Sequence, residues 1–523
     1  MIRGGLIVDG SGRAAFSGDI ALKDGTIAAV GALGDAPARR VIDAAGKVVT
    51  PGFIDIHRHA DAAVFRPGFG AAELCQGLTT IVNGNCGLSA APFGSENADA
   101  VRAYLAPITG ALPAELPTDS MAHYLDALSH LPLHCGMLAG AGVIRADVAG
   151  YGRTQITDAE MEAIHYRLER ALEDGALGVS LGLGYAPECF YTTAELIRAL
   201  RPVAGSRIPV TVHMRQEGAG VADSVAEMLH AAKVLRCPVH ISHLKAMGRD
   251  NWGRKIPQVL SLLEQARSDG LDVSCDVYPY TAGSTQLLHI LPPDFLRGGM
   301  ETAAARLSDR GVRRELAARI ESGEGFDDIA KLAGWDGIYL TSLRCPENRQ
   351  YQGKNLTQIA AMMGESPLDA CCELLIREKG RITMIDFMAA EEDICAILRS
   401  PFSSVISDAT YPTEGRPHPR VCGTFTRMIE YFVREKHILS LEEAVHKMTL
   451  APAEVLGMKH KGCLQVGCDA DICIFDPGAL HETATYEDPM QLSQGMAYVL
   501  VEGEVALENG KPTGICAGKA VRR

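Results

Sequence analysis

The middle of the chain alternates short apolar runs with helical stretches, and this alternation constrains the fold more than any other feature. Two of the helical stretches are AEMEAIHYRLERALEDG from Ala159 and VADSVAEMLHAAKVL from Val221. Strands that alternate with helices in this way build βαβ units and a parallel sheet. Eight candidate strands end near His57, Val82, Ala139, Ser180, His213, Ser242, Asp276 and Ser407. Eight such repeats predict an α/β protein with a (β/α)8 barrel of the TIM type.

Two regions depart from this alternation. About 130 residues separate the seventh and eighth strand ends, so we predict a subdomain inserted after strand seven, at about residues 285–345. Residues 1–50 and 455–523 show short β-like runs separated by Gly and Asp turns, as in DIALKDGTIAAVG and CLQVGCDADICIFDP. These two ends predict one discontinuous β-sandwich domain, with the catalytic barrel in residues 51–454.

The overall composition argues against several classes of protein. With 523 residues, of which 47% are hydrophobic and 22% charged, the chain can bury a large core. Its formal net charge of -14 argues against a nucleic-acid-binding surface, which needs clustered Lys and Arg. We see no signal-peptide pattern and no apolar run of membrane-spanning length. The 15 scattered cysteines favour reduced thiols, and we therefore expect a cytoplasmic protein without a membrane partner.

Residue types that bind metals recur at the predicted strand ends. The segment PGFIDIHRHAD places His57 and His59 two residues apart, so both imidazoles share one face of a strand while Arg58 points away. In a (β/α)8 barrel the carboxyl ends of the strands carry the functional residues. Further candidate ligands follow at later strand ends, namely Cys86, His213, His243 and Asp408. A thiolate, imidazoles and a carboxylate suit Zn²⁺ with one position open for water.

Each of these residues also has an interpretation without a metal. The pair His57 and His59 could be a chance surface feature. Cys86, in a glycine-rich segment, could be a small buried hydrophobic residue. His213 or His243 could be a hydrogen-bonded core histidine, and Asp408 could cap a helix or a turn. The prediction of a metal site therefore depends on the joint pattern, in which all these residues end strands of one barrel.

The chain resembles the amidohydrolase superfamily, and more narrowly the N-acyl-D-amino-acid deacylases, also called D-aminoacylases. The resemblance spans almost the whole chain and rests on PGFIDIHRHAD, GLTTIVNGNCGLS, GALGVSLGLGY, HMRQEG, ISHLK, DVYPYTAGST, SDATYP with HPR, and GCLQVGCDADICIFDP. The first and last motifs are typical of the superfamily, whereas GNCG followed by HMR, SHLK and DVYPY is more specific. Many members of the superfamily bridge two metals with a carboxylated lysine on the fourth strand. GALGVSLGLGY has no lysine, and Cys86 matches the replacement ligand of the narrower family.

This resemblance implies a metal-dependent enzyme that hydrolyses the linear amide of an N-acyl-D-amino acid to a carboxylate and a D-amino acid. It implies one tightly bound zinc ion, with the ligands Cys86, His213 and His243. It leaves open a second, weaker site, with the ligands His57, His59, Asp408 and a shared Cys86. Asp408 is then the general base, which takes a proton from metal-bound water as the hydroxide attacks and returns it to the leaving amine.

The α-carboxylate of such a substrate needs cationic and hydroxyl donors. The candidates are Lys245, Tyr278, Ser284 and Arg420. Lys245 shares the face of His243 if the strand continues, and Arg420 in HPR offers a fork that fits a carboxylate. The structural alternatives are a solvated Lys245, a Tyr278 packed in its loop, a Ser284 that stabilises a turn, and an Arg420 that holds its own loop.

The chain departs from the family pattern in two places. The third strand of many relatives ends in a Gly-His-Gly segment, whereas LAGAGVIR places Ala141 at the position of the histidine. The loop after the fourth strand reads Ala-Pro-Glu-Cys at residues 186–189 instead of the commoner proline pair. Both changes bear on the acyl or side-chain preference more than on the reaction. An acidic substrate side chain would need an additional cation, for which Arg297 on the insertion is a candidate.

Other functions are compatible with the same barrel. One is a cyclic-amide hydrolase of the hydantoinase and dihydroorotase kind, and another is a dipeptidase for peptides with a C-terminal D-residue. The absence of the fourth-strand lysine argues against cyclic amides. A metalloprotein without catalysis is a different class of answer, but degenerate members lose ligands first and all six are present here. The expected partner is a small-molecule N-acyl amino acid, and the sequence does not indicate an oligomeric state.

Overall fold

The computed structural model describes residues 1–34, 36–297, 299–322 and 326–523. The chain begins with five strands of one sheet: β1 (Ile2–Ile7), β2 (Phe16–Lys23), β3 (Thr26–Gly31), β4 (Ile42–Asp43) and β5 (Val48–Pro51). The hairpin between β2 and β3 turns at Asp24 and Gly25, whose φ angles are 49° and 80°. Two-residue hairpin turns often require positive φ at both positions, which explains the Asp-Gly pair.

The strands of the barrel come next. They are β6 (Phe53–Asp55), β7 (Arg58–His59), β8 (Leu78–Asn83), β9 (His134–Met137), β10 (Ala139–Gly140), β11 (Val179–Gly182), β12 (Val210–His213), β13 (Val239–Ile241) and β14 (Val273–Val277). Parallel ladders join β6, β8 and β9, and then β10 to β14 in order. Only Leu138 separates β9 from β10, so these two form one barrel strand. The first seven predicted strands are confirmed, and nearly all their residues are buried, as parallel strands under a layer of helices require.

Helices connect these strands on the outside of the barrel. They are α1 (Ala71–Cys75), α2 (Ala98–Thr109), α3 (Met121–Ala127), α4 (Ala141–Ala149), α5 (Asp158–Glu173), α6 (Thr193–Ala199), α7 (Val221–Leu235) and α8 (Lys255–Ser268). Both helices predicted from the sequence are present. The first, α5, begins with a capping box in which Thr157 and Glu160 bond each other's backbone N–H groups. Within the described residues, no helix combines the length and apolarity needed to cross a membrane.

A separate unit follows the seventh strand. Its three strands, β15 (Ala282–Gln286), β16 (Ile338–Ser342) and β17 (Thr383–Phe387), form an antiparallel sheet in the order β15–β17–β16. Its helices are α9 (Gly299–Leu307), α10 (Arg310–Ser322), α11 (Ile329–Ala333), α12 (Leu356–Met363) and α13 (Pro367–Arg377). These elements share a hydrophobic core distinct from that of the barrel. They extend beyond residue 345, the predicted limit of the insertion.

The barrel closes with the next elements. They are α14 (Glu391–Arg399), β18 (Ser403–Val405), β19 (Ala409–Thr410), α15 (Arg420–Arg427), α16 (Leu441–Met448) and α17 (Leu450–Val455). Strand β18 pairs with β14 as the eighth strand, and β19 pairs in parallel with β7, which continues the first. The ring is therefore joined between its eighth and first strands, as a barrel requires.

The chain then returns to the first sheet. The strands are β20 (Ile472–Phe475), β21 (Met496–Val501), β22 (Glu504–Glu508) and β23 (Lys511–Pro512). The sheet order is β23–β22–β21–β20–β5–β1–β2–β3, with β4 beside β1. Both ends of the chain therefore contribute to one β structure, as predicted. The last strand, β24 (Ala520–Val521), pairs instead with β9 of the barrel.

Arg58 is fully buried at the seam where the barrel closes. Its guanidinium lies 3.0 Å from Asp55 Oδ2 and 2.8 Å from Glu73 Oε1. Its Nε donates a hydrogen bond to the Tyr411 hydroxyl at 2.7 Å. A buried cation is stable only with such partners, which belong to β6, α1 and the segment after β19. Arg58 therefore holds the short strand β7 in place, and with it His57 and His59, the residues on either side of Arg58.

We expect Arg58→Met to lower the thermal unfolding midpoint strongly, because it leaves the Asp55 and Glu73 carboxylates buried without their cation. Breaking a buried ion pair in this way costs about 3–5 kcal/mol. The control is Arg13→Met, which removes an ion pair to Asp9 from a side chain that is 72% exposed. Exposed pairs contribute at most about 1 kcal/mol. Equal midpoint shifts of the two variants in calorimetry would contradict the assigned role of Arg58.

Candidate metal centre

Six side chains from five strand ends converge at the carboxyl-terminal end of the barrel. They are the predicted ligands His57, His59, Cys86, His213, His243 and Asp408. Cys86 Sγ lies 3.2 Å from His57 Nε2 and 3.5 Å from His243 Nε2. His213 Nδ1 lies 3.0 Å from His243 Nε2. Side chains that are far apart in sequence therefore share one small buried space.

The imidazole and thiol groups form two sets of three that share Cys86. One set is His57, His59 and Cys86, and the other is Cys86, His213 and His243. Within each set the ligand atoms lie within 4.8 Å of one another. Thiolate sulfur and imidazole nitrogen are the donors that zinc-type ions prefer, and the sets are compact enough for one ion each. The donor chemistry therefore fits a transition-metal centre.

Burial affects the imidazole and the thiol donors in opposite ways. It lowers the pKa of His213 to about 3 and holds the pKa of His57 well below its ordinary value, so both imidazoles are neutral. The neutral imidazole is the form that binds a metal. Burial also raises the pKa of the Cys86 thiol, and the nearby carboxylate of Asp408 adds to this effect. A thiolate at this position is therefore stabilised only by a close cation.

Asp408 stays ionised despite its surroundings. Burial opposes the charge, but Arg420, His59 and His57 together hold the pKa of Asp408 well below its usual range. Arg420 Nη1 lies 3.0 Å from Asp408 Oδ2. Asp408 Oδ1 lies 3.3 Å from His59 Nε2 and 3.4 Å from His57 Nε2. A carboxylate held in this way can accept a proton from a water molecule beside the ligand set.

Three residues of the site have a left-handed backbone. Their φ angles are 54° at Cys86, 36° at His243 and 51° at Asp408. Positive φ is uncommon for residues with a side chain, and each sparsely populated conformation costs about 1–3 kcal/mol. All three residues lie just beyond a barrel strand, where this conformation turns the chain sharply. The strain is therefore concentrated where side chains must be directed into the site.

Glu217 was not predicted from the sequence, although it lies in the HMRQEG motif four residues after His213. Its Oε1 lies 2.9 Å from His243 Nδ1, and its Oε2 lies 2.7 Å from Lys245 Nζ. Despite burial, His213 and Lys245 lower the pKa of Glu217 below its ordinary value. Lys245 Nζ also lies 2.9 Å from His243 Nδ1, so Glu217 and Lys245 together surround this nitrogen and hold the imidazole in place from the side away from the other ligands.

Asp276 supports the same histidine from the seventh strand. Its Oδ1 accepts the backbone N–H of His243, and its Oδ2 lies 2.8 Å from His240 Nε2. The Leu244 N–H also donates to the Asp276 carbonyl oxygen at 2.8 Å. The strained turn at His243 is therefore held in place by hydrogen bonds from a neighbouring strand.

A pocket lies over the ligand residues and connects them with the insertion. Three predicted substrate-binding residues, Lys245, Tyr278 and Ser284, line this pocket. Arg420 does not line it. The Arg420 side chain is fully buried, with its guanidinium carbon 4.8 Å from the centre of the Tyr278 ring and its Nη1 on Asp408. In this structure its guanidinium is directed at Asp408, and direct substrate binding by Arg420 stays a prediction.

The two departures from the family pattern lie near the pocket. Ala186 lines it, and Ala141 is the buried first residue of α4. Glu188 is buried, its Oε2 accepts the Gly182 N–H at 2.7 Å, and burial raises its pKa to about 7. Arg297 is exposed and does not line the pocket. The position of Arg297 therefore gives no support to its suggested role in binding an acidic side chain.

Comparison with known proteins matches residues 40–507 to a family model described as the Amidohydrolase family. Among curated proteins, the chain is 33% identical to a D-aminoacylase from Alcaligenes xylosoxydans xylosoxydans over 532 aligned residues. That alignment covers 100% of this chain and 97% of the relative. The similarity therefore extends over both the β structure and the barrel.

Two solved structures are similar over their whole length. One is N-acyl-D-glutamate deacylase from Bordetella bronchiseptica, complexed with zinc and a phosphonate inhibitor that mimics the tetrahedral intermediate. It has a TM-score of 0.84 and 34% identity, and the match covers 100% of this chain and 99% of that chain. The other is a D-aminoacylase studied for its binuclear metal centre, with a TM-score of 0.83, 32% identity and the same coverage.

We expect Glu217→Gln to weaken divalent-metal binding about 10–100-fold, because the variant loses the buried negative charge beside His243 and Lys245 that holds both side chains in position. The measurement is competition of the purified protein with a chelator for Zn²⁺. The control is Glu162→Gln, which changes an exposed glutamate on α5. Unchanged metal affinity in Glu217→Gln would contradict this role.

Proposed function

This chain belongs to the amidohydrolase family, and we propose that it hydrolyses the amide bond of N-acyl-D-amino acids to a carboxylate and a D-amino acid. The observation that carries the proposal is the convergence of six ligand-type residues, five of which line a pocket that also holds the Lys245 ammonium group. The aligned relatives include a D-aminoacylase and an N-acyl-D-glutamate deacylase, which supports this reaction. The preference for the D isomer rests on these relatives.

We assign a metal ion to the ligand set, supported by the zinc and the binuclear centre of the solved relatives. The proposed ligands of one tightly bound zinc ion are Cys86, His213 and His243. The proposed ligands of a second, weaker site are His57, His59, Asp408 and the shared Cys86. Zinc bound here would activate water and polarise the amide carbonyl.

Asp408 is the proposed proton carrier. Its ionised carboxylate accepts a proton from the attacking water and then donates that proton to the nitrogen of the leaving amine. Amide cleavage needs this second step, since an amide anion is a very poor leaving group. Arg420, 3.0 Å from Oδ2, holds the carboxylate in place through both transfers. The other oxygen, Oδ1, lies beside the ligand histidines, where the water must be held.

Lys245, Tyr278 and Ser284 are the proposed ligands of the substrate α-carboxylate. Lys245 supplies the charge, and the two hydroxyl groups supply hydrogen bonds. Glu217 contacts both Lys245 Nζ and His243 Nδ1, so it fixes the distance between the carboxylate-binding group and the metal ligands. A fixed distance favours substrates whose amide lies one carbon away from a carboxylate.

We expect the zinc-loaded protein to release amine from N-acetyl-D-amino acids but not from their L isomers. Suitable pairs are the D and L forms of N-acetylated Leu, Met, Phe, Glu and Asp, and metal-stripped protein should be inactive. Turnover of the L series, or no turnover of either series by metal-replete protein, would contradict the proposal. A ring-opening assay with a dihydropyrimidine would then test the cyclic-amide alternative.

We expect Asp408→Asn to lower kcat about 10²–10⁴-fold while the tight site keeps its zinc, because the variant cannot carry the proton. His243→Ala should instead lose both zinc and activity. The control is Asp119→Asn at an exposed surface position. Elemental analysis of each variant separates loss of metal from loss of proton transfer. Full turnover by Asp408→Asn with its metal intact would rule out the assigned role.

A further inference from the structure

The pocket lining has a polar side and an apolar side. The polar side holds the ligand residues other than His57, with Lys245 and Tyr278, and the apolar side comes mostly from the insertion. The apolar wall consists of Met247, Leu291, Leu296, Phe326, Ile329 and Met388. Each of these side chains is at most 8% exposed. A ligand group placed against this wall gains about 25 cal/mol per Å² of buried apolar surface.

The cations of the pocket are already paired. Among the described lining residues, the lysine and arginine side chains are Lys245 and Arg215. Lys245 Nζ lies 2.7 Å from Glu217 and is assigned to the α-carboxylate. Arg215 donates from Nε and Nη2 to the two carboxylate oxygens of Glu227, at 3.0 Å each, and from Nη1 to the Cys189 carbonyl oxygen at 3.0 Å. A second carboxylate on the substrate would therefore find no free cation in this lining.

The remaining charges of the lining are negative. Asp327 accepts the backbone N–H groups of Glu217 and Gly218. Asp386 is 1% exposed, and its Oδ1 has no hydrogen-bond partner. His289 also lines the pocket, but burial lowers its pKa to about 3, so it adds no positive charge. An acidic side chain would be buried near two carboxylates without a counter-ion, which is strongly unfavourable.

We propose that this pocket selects N-acyl-D-amino acids with neutral, apolar side chains and rejects those with a side-chain carboxylate. The inference rests on the proposed function and adds the class of amino acid. It holds whichever part of the substrate contacts the apolar wall. Among the described lining residues, the α-carboxylate uses Lys245, and Arg215 is held by both carboxylate oxygens of Glu227, so no further cation is left for a second carboxylate. It also distinguishes this chain from the solved relative named for N-acyl-D-glutamate.

The test compares kcat/KM of the zinc-loaded protein for one acyl group and several D-amino acids. The substrates are N-acetyl-D-leucine, N-acetyl-D-methionine, N-acetyl-D-glutamate and N-acetyl-D-glutamine. We expect the apolar pair to exceed N-acetyl-D-glutamate by about 100-fold or more. Glutamine has nearly the shape of glutamate without the charge, so it should rank above glutamate. Equal or higher activity on N-acetyl-D-glutamate would overturn the inference but leave the deacylase function intact.

Asp386→Asn tests the electrostatic part of the argument. Removing this charge should raise the ratio of glutamate to leucine turnover about 10-fold, because a nearby like charge disfavours the ionised side chain of glutamate in the pocket. Burial raises the pKa of Asp386 to about 6, so assays at pH 8 keep the carboxylate ionised. The ratio is measured on one preparation and does not depend on the folded fraction.

The control is Asp336→Asn, which removes an exposed aspartate elsewhere in the insertion and should leave the ratio unchanged. An unchanged ratio in Asp386→Asn would overturn the electrostatic exclusion. Inactivity of metal-replete wild-type protein on every D-substrate would overturn the proposed function together with this inference. The outcomes for selectivity and for function are therefore distinguishable.

Discussion

The candidate metal centre depends on a buried charge cluster that is not itself part of the proposed ligand set. Arg58 joins Asp55 and Glu73 where the eighth strand meets the first. Asp55 also accepts the Ser407 backbone N–H at 3.1 Å, so the same carboxylate holds the end of the eighth strand. At the next residue, the Asp408 N–H donates to the His57 carbonyl oxygen at 2.9 Å. Ligands about 350 residues apart are brought together because these groups cannot be buried without one another.

Hydrogen bonds to neighbouring strands also hold two of the strained residues of the site, Asp408 and His243. Left-handed backbone at Cys86, His243 and Asp408 would relax in a mobile loop. Each lies directly after a buried strand, and Asp276 additionally holds the turn at His243 from its neighbour. A rigid scaffold with strained ends fixes side-chain directions more closely than a flexible loop could.

Much of the barrel and its six-residue constellation could be predicted, because buried parallel strands appear in the sequence as apolar runs and ligand types are rare at their ends. The role of Glu217 could not be predicted, since its contact with His243 depends on how the segment after β12 folds back. The orientation of Arg420 depends on where α15 begins, which no local pattern defines. The full extent of the insertion could not be predicted from the sequence either, because its sheet pairs strands about 100 residues apart.

The insertion has its own sheet and its own hydrophobic core, while the ligand residues belong to the barrel. Substitutions in the apolar wall therefore change the shape of the pocket with little effect on the strand ends that hold the donors. Selection can act on the two parts separately. Proteins with this architecture can therefore evolve new substrate preferences through mutations in the insertion. The barrel, which carries the catalytic residues, can stay unchanged.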